Sequence, residues 1–329
     1  MLFIPFRNLR FRAITPLFLF LSLSLALPGI AQSPQQISIG SYNLENFFDI
    51  WDNPYTEDEG TKVKSRAQVR DLARAIKALD ADVLVVQEFE HEELLEALVK
   101  EFLPNAGYQY IAASPSNDGR GILLGILSRY PVTQITSHRL QTFTHPDAPN
   151  KPYRFSRDLL RFTVDVGLDR PLQVYNVHLK SNGDSSGDKH SARKRTAEAM
   201  CIKQILRDAL AHDPDLLAVV AGDFNSLYET RPDEQDRPWP AMAHLLEAEP
   251  NGTHVFTDVH AHLTDTQRVT IPSKGRYPDA TFDYLLTTPA LAQRYIKDSA
   301  TVIQKDTLTH GSDHRPIKAT FRVGDAADD

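Results

Sequence analysis

With Cys201 the only cysteine among 329 residues, no intramolecular disulfide can form, even in an oxidising compartment. Ala197, Met200 and Ile205 share its helical face, which marks it as a packed thiol rather than a nucleophile. Basic excess is lacking too: the formal charge is -7, which argues against a protein that coats nucleic acid by charge alone. A locally basic groove remains compatible with that balance. Beyond Leu27 no run is long and apolar enough to cross a bilayer, and neither repeats nor low-complexity blocks occur. Stability therefore has to come from one large core, which a chain of this length can supply with two packed sheets.

What is present begins at the N-terminus. Arg7, Arg10 and Arg12 precede an apolar stretch from Ala13 to Leu27, followed by Gly29 and Ala31. That order is expected of a cleavable secretory signal over residues 1–31, in preference to a membrane anchor, because the run falls short of the roughly 20 residues a span needs. Its removal takes away three arginines and no acids, moving the charge from -7 to -10. The expected mature chain, 32–329, is a single exported domain, periplasmic or secreted, without an integral membrane anchor.

Apolar, β-branched runs occur at Gln36–Gly40, Asp82–Val86, Gly121–Leu127, Leu159–Val166, Leu172–Val177, Leu216–Ala221, Phe282–Leu286 and Ile317–Val323, and predict strands. Val69, Leu72, Ala73, Ile76 and Leu79 have helical spacing. Leu94, Leu95, Leu98 and Phe102 suggest a second helix, and a third runs from near Asp188 to a stop at Asp213-Pro214. Asp169-Arg170-Pro171 reads as a hairpin turn. Some strands alternate with helices and others follow one another, so packed sheets under outer helices are expected, not one doubly wound sheet. Phe143–Ser156 and Glu229–Pro240 read as surface loops, the first with Lys151, Tyr153, Arg154 and Arg157 suited to an anionic substrate. Glu57-Asp58-Glu59 reads as a solvated loop in preference to a second metal site.

Polar residues repeatedly stand where an apolar strand stops: Asn43, Glu88, His178, Asp223 with Asn225, Asp283, and Asp313-His314 before the last strand. Singly, each has an ordinary reading as a boundary residue or turn cap. Together, on strand ends that converge in space, they can build one site. Lys180 follows His178, and Lys189, His190, Arg193, Lys194 and Arg195 gather at a helix start, where the dipole disfavours cations. These basic residues form either a solvated face or a phosphate-contacting rim, with Arg193 the one expected to point inward.

The segments Ser41-Tyr42-Asn43, Val86-Gln87-Glu88, Asn176-Val177-His178, Gly222-Asp223-Phe224-Asn225, Phe282-Asp283-Tyr284 and Gly311-Ser312-Asp313-His314-Arg315-Pro316 resemble, in this order, the endonuclease/exonuclease/phosphatase superfamily, also described as deoxyribonuclease I-like. Leu127-Ser128-Arg129-Tyr130-Pro131 is similar to its strand-turn-strand segment, and the resemblance spans Ile37 to about Val323. It implies an α/β fold of the α+β type: two packed mixed sheets flanked by helices, a four-layer α/β/β/α sandwich. It also implies a phosphoesterase, foremost a nuclease acting by activated water. A phosphomonoesterase or phospholipid-headgroup phosphodiesterase is the alternative within the fold, and a catalytically silent binding protein the alternative outside it. By the same resemblance Glu88, with Asn43 and Asp313, holds Mg²⁺ or Mn²⁺, Ca²⁺ being admissible in an oxygen-rich site. Asp223 is then the base, Asn225 a hydrogen-bond donor, His314 an imidazolium kept basic by Asp283, and His178 a leaving-group acid without an evident orienting carboxylate. Lys180, Arg157 and Arg193 are the substrate-contacting candidates. Nucleic acid or another phosphoester is the expected substrate, and no obligate protein partner is called for.

Overall fold

The computed structural model describes residues 36–167, 170–185, 187–227, 241–273, 278–305, 308 and 310–322. The expected signal, the Glu229–Pro240 loop, Asp169 and Val323 lie outside the described residues. No helix among the described residues is long and apolar enough to cross a membrane.

In chain order the strands are β1 (Gln36–Phe47), β2 (Val83–Phe89), β3 (Tyr110–Ser114), β4 (Leu123–Ser128), β5 (Val132–Ser137), β6 (Phe143–His145) and β7 (Ala148–Tyr153). They continue as β8 (Leu159–Val164), β9 (Leu172–His178), β10 (Ala218–Asp223), β11 (Thr257–Asp258), β12 (Asp283–Thr287), β13 (Thr301–Val302) and β14 (Ile317–Arg322). One mixed sheet has the order β13-β14-β1-β2-β4-β3 and the other β11-β12-β10-β9-β8-β5, with β6-β7 as a separate hairpin. The helices are α1 (Arg66–Leu79), α2 (Glu92–Phe102), α3 (Ala192–His212), α4 (Ala241–Leu246) and α5 (Pro289–Ala292).

Side-chain alternation along the strands builds the layers. Val83 and Val85 of β2 face the inter-sheet core with Ile37, Phe162, Val174 and Val219. Leu84 and Val86 of the same strand pack outward under Leu72, Ile76, Leu95 and Leu98 of α1 and α2. On the far side Tyr175, Val177, Ala218 and Val220 meet Ala199, Ile202 and Leu206 of α3 and Met242 and Leu245 of α4. Central strands buried on both faces are why they read as continuous apolar runs. The four-layer sandwich is as expected.

Three local features depart from the sequence reading. The 143–156 segment contains the β6-β7 hairpin rather than an irregular loop; the prolines at 149 and 152 are tolerated because this ribbon is isolated and mostly exposed. Strands β3 and β5 lacked an apolar run because each lies at a sheet edge: β3 is only partly buried along its length, and β5 is mostly exposed. Asp58, read as solvated, is only 8% exposed.

At the site end the two sheets are joined by polar groups. Asn176 of β9 donates to the carbonyls of Val86 (2.8 Å) and Gly125 (2.9 Å) in the opposite sheet and accepts from Gln87 at 2.8 Å. Replacing it by alanine leaves these buried partners unpaired, at a cost of about 2–4 kcal/mol. Urea unfolding of Asn176→Ala should show that loss; one below about 1 kcal/mol would mean that the bridge is dispensable.

Candidate active site

Strand direction gathers the polar residues. β1 runs parallel to β2, and β9 parallel to β10, so Asn43, Glu88, His178 and Asp223 sit at carboxyl ends facing the same way. β12 and β14 run antiparallel to these, which brings Asp283, paired in register with Asp223, and the segment before Ile317 to the same end. The backbone is bent to suit. Glu45, Asn46, Glu88 and Asn225 all adopt positive φ, from 49 to 60°, in the left-handed region that non-glycine residues rarely occupy. Glu88 lies where the ladder to β4 shifts register, and Gly222 is required as it stands, since a Cβ there would come 2.0 Å from the Val177 carbonyl oxygen.

Asp223 is the hub. Its Oδ1 accepts from the Asn225 backbone NH (2.8 Å), and its Oδ2 from the side-chain amides of Asn43 and Asn225, both 3.2 Å. The Nε2 atoms of His178 and His314 lie 3.4 and 3.7 Å from Oδ2. Burial above all, reinforced by Asp283 and opposed by the His314 charge, lifts the Asp223 carboxyl to about 7. Asn225 also donates to the Leu179 carbonyl at 3.1 Å, so its amide orients the carboxylate.

The two histidines hold opposite charge states. Burial opposes a charge on His314, but Asp283, at 2.8 Å from Nδ1, and then Asp223 outweigh it and raise this imidazole to about 10. For His178 burial dominates, and Arg157, His314, Arg120 and Lys180 push the same way, so its pKa falls well below the ordinary value. No carboxylate meets its Nδ1, which is buried with no hydrogen-bond partner among the described residues; Glu88 and Asp223 lie on the Nε2 side alone. Neutral His178 is thus a hydrogen-bonding group, not a reservoir of an acidic proton.

Glu88 Oε1 accepts from Asn43 (3.1 Å) and lies 3.6 Å from His178, while Oε2 accepts from the Asn46 backbone NH at 3.0 Å. One ligand atom each of Glu88, His178 and Asp223 fall within 4.8 Å of one another, a compact oxygen and imidazole set. Two carboxylates, an imidazole and an adjacent amide suit a hard or borderline divalent cation. Asp313 is outside that group, with its Oδ1 3.9 Å from His314 Nε2.

The basic candidates divide. Lys180 is partly buried beside His178, its pKa lowered by burial and then by Arg157 and Lys194. Arg157 is buried, bound to Asp118 (2.9 Å) and the Leu179 carbonyl (3.1 Å), and contributes a fixed charge. Arg193 does not point to the catalytic cluster: its guanidinium meets the Gly187 carbonyl at 3.4 Å, while Asp188 takes its backbone NH and that of Lys194 and so caps the basic helix start.

Two cations escaped the sequence reading. Arg120 joins Asp118 to Asn46 (2.8 Å) and acts on His178. Lys64 has a side chain only 5% exposed, 3.7 Å from Glu45 and within the electrostatic reach of Asp313 and Glu88. Neither stands at a strand end, the one signal that the chain itself provided.

The profile of the Endonuclease/Exonuclease/phosphatase family matches residues 40–314. No curated protein sequence matches the chain. Among solved structures, it is similar to an endonuclease/exonuclease/phosphatase from Beutenbergia cavernae (TM-score 0.59, 20% identity, 88% of this chain and 72% of that one). It is also similar to truncated TDP2 of Caenorhabditis elegans (0.57, 19%, 88% and 98%). TDP2 of D. rerio, complexed with a single-strand DNA product, matches at 0.55 with 18% identity over 88% of this chain and 100% of that one. Identities this low establish a shared fold.

The raised His314 pKa makes a stability prediction. A group whose folded pKa exceeds its unfolded value contributes stability that is complete below about 6.5 and is lost as pH rises through about 10. The melting temperature of metal-free protein should therefore fall between pH 7 and 10, and Asp283→Asn should flatten that fall. Equal slopes in both proteins would show that the pair does not hold the proton.

Proposed function

The chain belongs to the endonuclease/exonuclease/phosphatase family and is a hydrolase of phosphoester bonds, and on that premise we propose that it is a metal-dependent nuclease cleaving phosphodiester bonds by activated-water attack. The observation that carries this reading is a buried carboxylate poised near neutrality, Asp223, 3.7 Å from a histidine held as imidazolium, His314.

A base working near its own pKa combines the right protonation state with a useful driving force. Asp223, steadied by the amides of Asn43 and Asn225, takes the proton of the attacking water. His314, locked through Nδ1 to Asp283, presents Nε2–H to the phosphoryl oxygens, where negative charge grows. Neutral His178 is a second hydrogen-bonding partner there. The fixed charges of Arg157 and Arg120, with Lys180, favour an anion at the mouth. Glu88 with Asn43 would hold Mg²⁺ or Mn²⁺, and His178 and Asp223 border the same space. Bound there, the ion would supply positive charge against the negative charge that develops on the phosphoryl and leaving oxygens. The single-strand DNA held by D. rerio TDP2, a relative in fold, supports nucleic acid as substrate. We place its action outside the cytoplasm, after loss of residues 1–31.

Asp223→Asn should lower hydrolysis by about 10²–10⁴-fold with near wild-type folding. Full activity in this variant rejects Asp223 as the base. A panel of plasmid, linear DNA, RNA, nucleotide monoesters and sphingomyelin, each with Mg²⁺, Mn²⁺ or EDTA, checks the rest. Turnover of DNA or RNA that EDTA abolishes is the expected result. Turnover confined to monoesters or sphingomyelin would replace the nuclease reading, and metal-independent turnover would overturn the mechanism.

A further inference from the structure

Helix α3 buries two charged residues beside the loop that follows β9. Arg195 and Glu198, three residues apart and so on one face, are 4% and 0% exposed. Both oxygens of Glu198 are taken by backbone NH groups next to the site's basic residues: Oε1 accepts from Ser156 at 2.6 Å and Oε2 from Lys180 at 2.8 Å. Arg195 donates to the Lys180 carbonyl at 2.9 Å and to that of His190 at 3.1 Å. A carboxylate taken fully out of water needs such charge-assisted bonds to remain there. The reaction proposed above makes no use of it.

Every backbone polar group of Leu179 and Lys180, directly after His178, has a partner. The Leu179 NH donates to the Asp223 carbonyl at 2.9 Å, and the Leu179 carbonyl accepts from Arg157 and Asn225, both at 3.1 Å. Glu198 and Arg195 take the NH and the carbonyl of Lys180. The Lys180 backbone is thereby fixed relative to Asp223 and Asn225. Its ammonium meets Ser181 Oγ, at 3.5 Å, and forms no ion pair among the described residues. A lysine with a pinned stem and no paired carboxylate is pre-organised to meet an anion. Arg157 stands differently, because Asp118 holds its guanidinium directly.

We propose that Glu198 is a positioning residue, which clamps the Lys180 NH and so aims the Lys180 ammonium at the phosphoryl group of the substrate. This role rests on the reading of Lys180 as a substrate contact in a phosphoesterase; it does not depend on nucleic acid, since any phosphoester presents the same anion. Glutamine in place of Glu198 keeps the shape and one acceptor oxygen, but sets an NH₂ group against one of the two NH donors. One loop is then released. Asp223 keeps its own donors, Asn43 and Asn225, so the loss falls on anion binding and not on the base.

Isothermal titration calorimetry with inorganic phosphate, in the presence of Mg²⁺, reads the anion site without turnover. Glu198→Gln should weaken phosphate binding about tenfold, the scale of one charge-assisted contact, and Lys180→Met by at least as much. The double variant should lose no more than Lys180→Met alone, because Glu198 acts through that ammonium. A carboxylate that only holds the fold together would cost the same in either background. Should Glu198→Gln misfold, Glu198→Asp, which keeps the charge and shortens the reach, goes through the same cycle. Losses that multiply, or a folded Glu198 variant that binds phosphate as wild type does, overturn the proposal, as does wild type that binds no phosphate. Failure of the nuclease reading shows differently: DNA and RNA stay intact while phosphate binding and its dependence on Glu198 persist.

Discussion

Burying Asp223 is the constraint on which the site end of this molecule depends. A carboxylate taken out of water needs donors, and they come from both sheets: Asn43 from β1, Asn225 from the turn after β10. Asn176 and Gln87 complete the seam with further cross-sheet bonds. Below it the sheets pack through aliphatic side chains, which fix their separation but not their register. The polar seam supplies what a greasy interface lacks, a unique alignment of two strand systems. The hydrolytic apparatus and the device that aligns the sheets are thus largely the same residues.

Much of this was legible in sequence because the central strands are covered on both faces. Their unbroken apolar runs make any polar residue at the end conspicuous, and Asn43, Glu88, His178, Asp223 and Asp283 were found that way. The outer strands β3 and β5 and the β6-β7 hairpin carry no such contrast, since edge positions tolerate polar and proline residues. Arg120 and Lys64 reach the site from loops, and only the folded chain shows their proximity. Asp58 illustrates the opposite failure: flanked by Glu57 and Glu59, it looks solvated, yet the turn folds it inward.

Charge state was the least legible property. His178 and His314 are both buried and both lie within 4 Å of Asp223, so burial and that shared neighbour do not distinguish them. The difference is Asp283, bound to one ring and absent from the other. One contact makes His314 a cation in a site that must receive an anion, while burial, left without such a contact and reinforced by arginine and lysine charges, keeps His178 neutral. Two cationic histidines around one carboxylate would suppress its basicity; one leaves Asp223 near neutrality.

Four of the eight non-glycine residues with positive φ among the described residues follow the same geography, while Asp80, His190, Ser191 and Asp298 lie elsewhere. Glu45, Asn46, Glu88 and Asn225 each hold a left-handed conformation that costs of order 1–3 kcal/mol. All lie within three residues of Asn43 or are themselves site residues, and none belongs to the regular strand interiors. Such conformations persist only where the surroundings over-determine them. For Glu88 those surroundings are the Asn46 and Asn43 donors; for Asn225 they are Asp223 and the Leu179 carbonyl. The strand ends thus stop being sheet at the residues that do chemistry, and the left-handed turn at Glu88 sets its carboxylate among Asn43, Asn46 and His178. A regular continuation of β2 would keep that residue in the ladder, as Gln87 is kept opposite Asn43. The sandwich supplies rigidity, and the bent strand ends convert it into convergence.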